Sequence, residues 1–147
     1  MTQTAFPPTA KTVATLFFDR YRTQDVAGMV NLFAPGGTVE YVPYGLKGPV
    51  DEAGAGAWNA LIEAFPNLTN RIISIRQDET GHVAYVDVFI GGTQVKEAFG
   101  VPSQGKTYDL RHLLFVFETN EAGQIASVVS FWDNADWYQQ LGKTTLA

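Results

Sequence analysis

The sequence has no cysteine and only two histidines, His82 and His112, among its 147 residues. The lack of cysteine excludes disulfides, thiolate metal ligands and thiol catalysis. Two histidines far apart in the chain are too few for the usual zinc sites, so we expect no metal. The sequence also lacks a glycine-rich phosphate-binding fingerprint, and we expect no cofactor.

Positive charge is scarce as well. Ten Lys and Arg residues stand against 15 Asp and Glu, the formal net charge is −5, and the basic residues form no cluster. Nucleic acids and anionic lipid surfaces are bound by clustered positive charge, so neither is an expected partner. No apolar run is long enough to span a membrane, and residues 1–8 show no signal peptide. These absences predict a soluble, cytoplasmic protein.

Aromatic residues, by contrast, are abundant. Ten Phe, six Tyr and three Trp make up 13% of the chain, and hydrophobic residues together make up 46%. A chain of this length and composition is expected to fold as one globular domain, here spanning residues 1–147. The aromatic rings either fill an ordinary core or line a cavity for a small hydrophobic or aromatic ligand.

Helical periodicity dominates the first half of the chain. Apolar residues recur at helical spacing in 13–21 and again in 26–33, and a third helix is predicted over 49–65. Between them, residues 38–44 have the composition of a β-strand. Pro43 within that run predicts a sheet edge or a strand end.

From residue 70 onward the period changes to two. Strands are predicted at 70–76, 82–94, 106–119 and 124–132, separated by turns rich in glycine, asparagine and aspartate. Helices followed by long antiparallel strands predict an α+β fold. We expect the helices to cover one face of a strongly curved, mixed but mainly antiparallel sheet. Such a sheet leaves a one-sided cavity, where a ligand would bind.

Four short segments in the second half resemble one known family. They are residues 91–94, 99–106, 131–133 and 139–142. Their order and spacing are similar to those of the SnoaL-like polyketide cyclases. The resemblance implies a cone-shaped barrel of the nuclear transport factor 2-like, ketosteroid isomerase-like superfamily, and a homodimer formed through the sheet face. It also implies a cyclase or related enzyme without a cofactor, which acts on a small apolar carbonyl compound by acid/base chemistry through an enolate.

The catalytic position of the family does not match. The resemblance puts Ser130 where characterised cyclases have an aspartate base, and limonene-epoxide hydrolases also have an aspartate near this position. A serine hydroxyl is not a base unless a neighbour takes its proton. The positions that ketosteroid isomerases use fall on Phe17, Tyr41 and about Leu113, so we expect no chemistry of that type. The alternative function is therefore a non-catalytic protein that binds small hydrophobic molecules.

His112 is the predicted base, because imidazole is the side chain that titrates near neutral pH; its alternative is a hydrogen-bonded core histidine. Asp109 and Arg111, two residues apart on one strand, would support it electrostatically if they face the cavity. Otherwise they form an exposed ion pair. Asp133 matches the terminal aspartate of the family and is either catalytic or the cap of a short helix. Asp87 is expected to point outward.

Strand alternation puts His112 on one face with Leu110 and Leu114, and Ser130 on one face with Trp132. The residues predicted to bind substrate are Phe17, Tyr21, Tyr41, Tyr44, Trp58, Phe89, Gln94, Phe115, Ser130 and Trp132. For the aromatic residues of this set, packing within the core is the alternative.

Overall fold

The computed structural model describes residues 7–143, and of Leu113 it describes the backbone alone. The two ends of the predicted domain and the side chain of Leu113 lie outside the described residues. The helices are α1 (Ala10–Arg22), α2 (Val26–Val30), α3 (Ala55–Ala64) and α4 (Asn134–Gln140). The strands are β1 (Phe33–Tyr41), β2 (Leu46–Pro49), β3 (Thr69–Gln77), β4 (Val83–Thr93), β5 (Thr107–Thr119) and β6 (Ile125–Phe131). None of the helices within residues 7–143 is long and apolar enough to cross a bilayer.

The six strands form one sheet in the order β2-β1-β6-β5-β4-β3. β1 and β6 run parallel, and every other neighbouring pair is antiparallel. The sheet is open, because β2 and β3 lie at its two edges and do not pair with each other. The predicted α+β fold with a mixed, mainly antiparallel sheet is thus confirmed.

Helix α1 supplies much of the apolar surface that covers the sheet. Its cap is Thr9, whose Oγ1 accepts a hydrogen bond from the backbone N–H of Thr12. Phe17 is fully buried, and its ring centroid lies 5.1 to 5.5 Å from those of Phe18, Trp58 and Phe117. Edge-to-face contacts at this spacing are favourable between aromatic rings, so this cluster is the core beneath α1.

The start of β1 differs from the prediction. Residues 35–37, a proline and two glycines, predict a break before a strand at 38–44, yet β1 begins at Phe33. A bulge between Phe33 and Thr38 absorbs these residues, and Gly36 adopts a φ of +79° that favours glycine. The strand then ends before Pro43, which lies in a short 3₁₀ turn. The predicted strand end at this proline is confirmed.

The predicted third helix begins later than expected. Helix α3 starts at Ala55, and the segment before it forms the edge strand β2 and a π-helical turn at Val50–Gly54. A strand of four residues presents too few side chains for a two-residue period, so sequence patterning does not detect it. Its identity as a strand comes from its antiparallel pairing with β1.

A bulge in β5 decides which of its side chains face the helices. His112 is paired with Val88, whereas Phe115 is paired with Val86, so β5 has one residue more than β4 in this interval. The extra residue reverses the alternation, and both His112 and Phe115 are buried. The prediction that Leu114 shares the face of His112 is therefore wrong, because regular alternation does not continue through a bulge.

Candidate active site

A cavity lies on the inner side of the sheet, with walls from α1, α3, α4 and the strands. The space between its lining side chains is about 510 Å³, including the part that opens to solvent. The residues predicted to bind substrate or act in catalysis that line it are Tyr21, Tyr41, Tyr44, His112, Phe115 and Trp132. The wall is mostly aromatic and aliphatic, with a few polar atoms on phenol and imidazole groups, as in many small-molecule sites.

Sequence analysis missed part of this wall. The additional lining residues are Leu46, Ala57, Leu61, Ile90, Phe99, Tyr108, Leu110 and Trp137. Tyr108 could have been found, because it alternates on β5 with Leu110 and His112 and so shares their face. Trp137 had no such signal, since the docking of the short helix α4 is decided by tertiary contacts.

His112 is a buried side chain on the cavity wall, with 8% of its surface exposed. Its Nδ1 lies 3.2 Å from Ser130 Oγ. The rings of Trp132 and Phe115 flank the imidazole at centroid distances of 5.1 and 5.2 Å. Its Nε2 has no hydrogen-bond partner among the described residues. His112 Nε2 is also not one of the fully buried polar atoms that lack a hydrogen bond in the described part of the chain. Nε2 is thus open to a ligand in the cavity.

The environment of His112 keeps its imidazole neutral. Burial lowers the pKa of His112 to about 3, because the imidazolium would lose its hydration. The neighbouring hydroxyl of Ser130 carries no charge that could offset this loss. At neutral pH the imidazole is therefore uncharged, with one ring nitrogen protonated and the other able to accept a proton.

Ser130 lies behind His112 and not on the cavity wall. It is fully buried on β6, where it is paired with Phe115 on one side and with Tyr41 on the other. Its hydroxyl contacts the imidazole of His112. The residue that the family resemblance matches to an aspartate base thus touches the candidate base His112.

Tyr41 is fixed on the wall by Trp58. The indole Nε1–H of Trp58 donates a hydrogen bond to the phenol oxygen of Tyr41. Trp58 itself is fully buried and does not line the cavity, so its contribution is to hold Tyr41. Burial raises the pKa of Tyr41, and the bond from Trp58 offsets part of that effect. The ring of Tyr41 lies 5.5 Å from that of Trp132, on the side of the cavity where His112 lies.

Three other predicted binding residues do not line the cavity. Phe17 belongs to the core cluster under α1. Gln94 is buried, and its amide donates to the backbone oxygens of Lys96 and Val101, so it holds a loop together. Phe89 lies under the guanidinium of Arg71 at 4.6 Å, on the opposite side of the sheet from the cavity. Their positions show that apolar character alone did not identify the wall.

Asp109 and Arg111 face away from the cavity, which corrects the expectation that they support His112. Arg111 Nε lies 3.0 Å from Asp87 Oδ1, and Arg71 pairs with Asp109 at 3.3 Å. Alternation on β5 is the cause, since residues 109 and 111 have the opposite phase to His112. The outward orientation expected for Asp87 agrees with this pairing, and the hydrogen bond from Arg111 lowers the pKa of Asp87.

Asp133 caps helix α4. Its Oδ1 accepts hydrogen bonds from the backbone N–H groups of Ala135 and Asp136 at 3.0 and 3.2 Å. It does not line the cavity, so of its two predicted roles the geometry matches the helix cap and not catalysis. Across residues 7–143, no three His, Asp or Glu side chains are grouped in a way that could hold a metal ion.

Solved structures of other proteins have the same fold. A candidate SnoaL-like polyketide cyclase from a Jannaschia species aligns with a TM-score of 0.80 over 98% of this chain and 99% of its own, at 17% identity. IdmH, a candidate polyketide cyclase from Streptomyces antibioticus, aligns with a TM-score of 0.75 over 90% and 98%, at 20% identity. A hypothetical protein with a ketosteroid isomerase-like fold from Catenulispora acidiphila has a TM-score of 0.72 over 88% and 92%, at 15% identity. At these identities the likeness shows the fold alone.

The sequence identifies the family. No curated protein matches the chain significantly. The family model described as SnoaL-like polyketide cyclase, however, matches residues 11–141, which include every residue that lines the cavity. The chain therefore belongs to the SnoaL-like polyketide cyclase family.

Proposed function

We propose that the protein is a cyclase-type enzyme that acts without a cofactor on a small apolar carbonyl compound. In this proposal His112 removes a proton from a carbon next to the carbonyl, and an enolate forms in the cavity. The observation that supports it best is the unpartnered Nε2 of His112 on a largely apolar wall. The aromatic lining suits a flat ring system as the ligand.

Ser130 acts in this proposal as a positioning residue. Its hydroxyl is buried behind the imidazole and has no access to the cavity, which argues against Ser130 as a base or nucleophile. A serine oxygen can accept a hydrogen bond from Nδ1–H, and that tautomer leaves Nε2 unprotonated and basic. The same hydrogen bond persists when Nε2 takes a proton, so Ser130 holds the ring in place throughout.

The proposed step conserves protons and electrons. Nε2 of His112 takes the proton, and the electron pair of the broken C–H bond becomes the enolate. The enolate carbon attacks a second carbonyl of the same molecule, which forms a C–C bond and an alkoxide. The imidazolium then returns its proton to that alkoxide. His112 ends as it began, so the ring closure needs no redox partner and no external acid.

The low pKa of His112 determines when this transfer is favourable. An isolated imidazolium is disfavoured in the cavity, whereas an imidazolium beside the negative enolate is stabilised by the opposite charge. The ion pair is absent when the neutral substrate binds and develops as the proton moves. Interactions that strengthen in this way accelerate the chemical step rather than substrate binding.

A non-catalytic binder of small hydrophobic molecules is the second candidate, and the absence of a carboxylate at Ser130 favours it. The test is a panel of bicyclic ketones that includes 2-tetralone, in D₂O, with binding measured by thermal shift and deuterium uptake by mass spectrometry. We expect binding together with deuterium uptake above the uncatalysed background. Binding across the panel without uptake would support the binder and contradict the enzyme.

A further inference from the structure

Three of the four tyrosines that line the cavity are buried, and they come from three different elements. Tyr21 comes from α1, Tyr41 from β1 and Tyr108 from β5. All three side chains are buried, with 1%, 7% and 4% of their surfaces exposed. No hydrogen bond joins the three hydroxyls to one another, and none of their hydrogens has an acceptor among the described residues. The three hydroxyl hydrogens are therefore available to a molecule in the cavity.

The hydrogen bond from Trp58 determines how Tyr41 can bond. An indole N–H is a donor only, so the oxygen of Tyr41 must be the acceptor in that contact. The hydroxyl hydrogen of Tyr41 is therefore not used by Trp58 and is left for another acceptor. A chain of bonds from indole to phenol to a third oxygen strengthens each member, because each donor is polarised by the one before it.

Tyr21 and Tyr108 differ from Tyr41 in having no hydrogen bond at all within the described part of the chain. Within the described residues, the fully buried polar atoms without a hydrogen bond are Gln94 Oε1 and Trp137 Nε1. The hydroxyls of Tyr21 and Tyr108 are not among them. Both hydroxyls are consequently reachable from the cavity. Both side chains line the same cavity as Tyr41.

We propose that these three hydroxyls, with Tyr41 as the principal donor and Trp58 as its positioning residue, bind the ligand oxygen on which negative charge develops. The proposal rests on the proposed enolate chemistry and adds the groups that would stabilise the enolate oxygen. Donors held in advance in an apolar site are effective at this, because they need no rearrangement as the charge forms.

The surroundings of the cluster suit this role. Burial raises the pKa of each phenol, so all three stay protonated and can donate at neutral pH. Tyr41 and His112 both lie against the ring of Trp132, at 5.5 and 5.1 Å between centroids. A ligand on that ring can therefore present its acidic carbon to His112 and its oxygen to Tyr41.

The test compares two probes of similar shape, 2-naphthol and naphthalene, and needs no turnover. At pH 8 we measure the affinity of each by fluorescence titration, and the ionised fraction of bound 2-naphthol from its emission. In the unaltered protein we expect 2-naphthol to bind tighter than naphthalene and to be more ionised than in water. In Tyr41→Phe the preference for 2-naphthol should fall by about tenfold or more, while the affinity for naphthalene changes by less than about twofold.

Tyr41→Phe also leaves the Trp58 N–H without its acceptor, so a loss of binding in that variant could come from misfolding. Two further variants separate these causes. Tyr21→Phe and Tyr108→Phe remove hydroxyls that bond nothing in the described protein, so each should fold normally and lower the preference severalfold. Tyr85→Phe removes an exposed hydroxyl on the opposite sheet face, outside the cavity, and should leave the preference for 2-naphthol unchanged. Equal affinity of the unaltered protein for both probes, or an unchanged preference in all three cavity variants, would overturn the proposal.

These experiments distinguish a failure of the tyrosine proposal from a failure of the proposed enzyme function. In the His112→Gln protein, deuterium uptake from ketones should be abolished, and the further change Tyr41→Phe should still lower the preference for 2-naphthol. A protein that shows the preference but no uptake would contradict the enzyme and retain the oxygen-binding cluster. Uptake without any preference would retain the enzyme and overturn the cluster.

Discussion

The Nδ1 of His112 lies 3.2 Å from the Oγ of Ser130, and both side chains are buried. The contact joins β5 to β6 and turns the remaining ring nitrogen of His112 toward the cavity. Relatives of this chain are expected to have a carboxylate at the position of Ser130. Here that position holds a neutral hydroxyl that supports an imidazole.

Replacing Ser130 should change the pKa of His112 according to the charge introduced. An aspartate in contact with the ring favours the imidazolium, so Ser130→Asp should raise the pKa of His112 from about 3 by one to three units. Ser130→Asn introduces nearly the same volume without charge and should leave the pKa low. The measurement is an NMR titration of the His112 ring protons. Equal pKa values in the Asp and Asn variants would show that the side chain at 130 does not control the imidazole.

His112 should also make the fold sensitive to mild acid. Its pKa is about 3 in the folded chain and 6.5 in its ordinary state, so between these values the unfolded chain binds a proton that the native protein does not. The free energy of unfolding therefore falls as the pH drops through this window, by up to about 1.4 kcal/mol per pH unit.

The matched comparison is His112→Phe, which lacks the titrating group. Between pH 7 and pH 5 the unaltered protein should lose about 2 kcal/mol more of its unfolding free energy than this variant. Urea denaturation at each pH measures the difference, and the two proteins are identical at every other residue. Parallel pH dependence in both proteins would mean that His112 titrates normally.

The outer face of the sheet is where we propose that a second copy of the chain binds. Paired positions bring together an apolar patch there, made of Tyr85, Leu114, Val116, Val129 and Phe131. Tyr85 and Phe131 are 42% and 39% exposed, and a contiguous exposed apolar patch is typical of an interaction surface.

Phe131→Asp should convert the expected dimer to a monomer, because it places a charge within the apolar patch. Leu16→Asp, an equally exposed position on helix α1, should leave the dimer intact. Light scattering at micromolar concentration distinguishes the two states. A monomeric unaltered protein, or a dimer that persists in Phe131→Asp, would rule out this interface.

Local patterning predicted much of the fold, and part of the site. The change of period near residue 70 identified the long strands, and alternation put His112 on the face of Leu110. Alternation also implies that Asp109 and Arg111 lie on the face opposite to His112. The hypothesis that they support His112 electrostatically had left their orientation open. The bulge between His112 and Phe115 was not predictable, because an inserted residue leaves no periodic signal and depends on how β4 pairs with β5.

The contact between His112 and Ser130 could not be predicted from the sequence either, because it depends on how two strands pair. The two residues were singled out separately, one as a base and the other as the position of a lost base. Their proximity depends on the register of β5 against β6, in which Phe115 is paired with Ser130. A one-residue slip would turn Ser130 to the opposite face of the sheet.

The central claim is that His112 transfers the proton, and deuterium uptake by 2-tetralone in D₂O tests it most directly. We expect His112→Gln to lower the catalysed uptake at least about 100-fold, since a positioned acid/base group contributes that much or more. Asp109→Asn and Arg111→Gln, whose side chains lie on the outer face, should retain full uptake. Because the pKa of His112 is about 3, uptake by the unaltered protein should also stay level from pH 5 to 8. Uptake that is unchanged in His112→Gln, with the variant folded, would contradict the account.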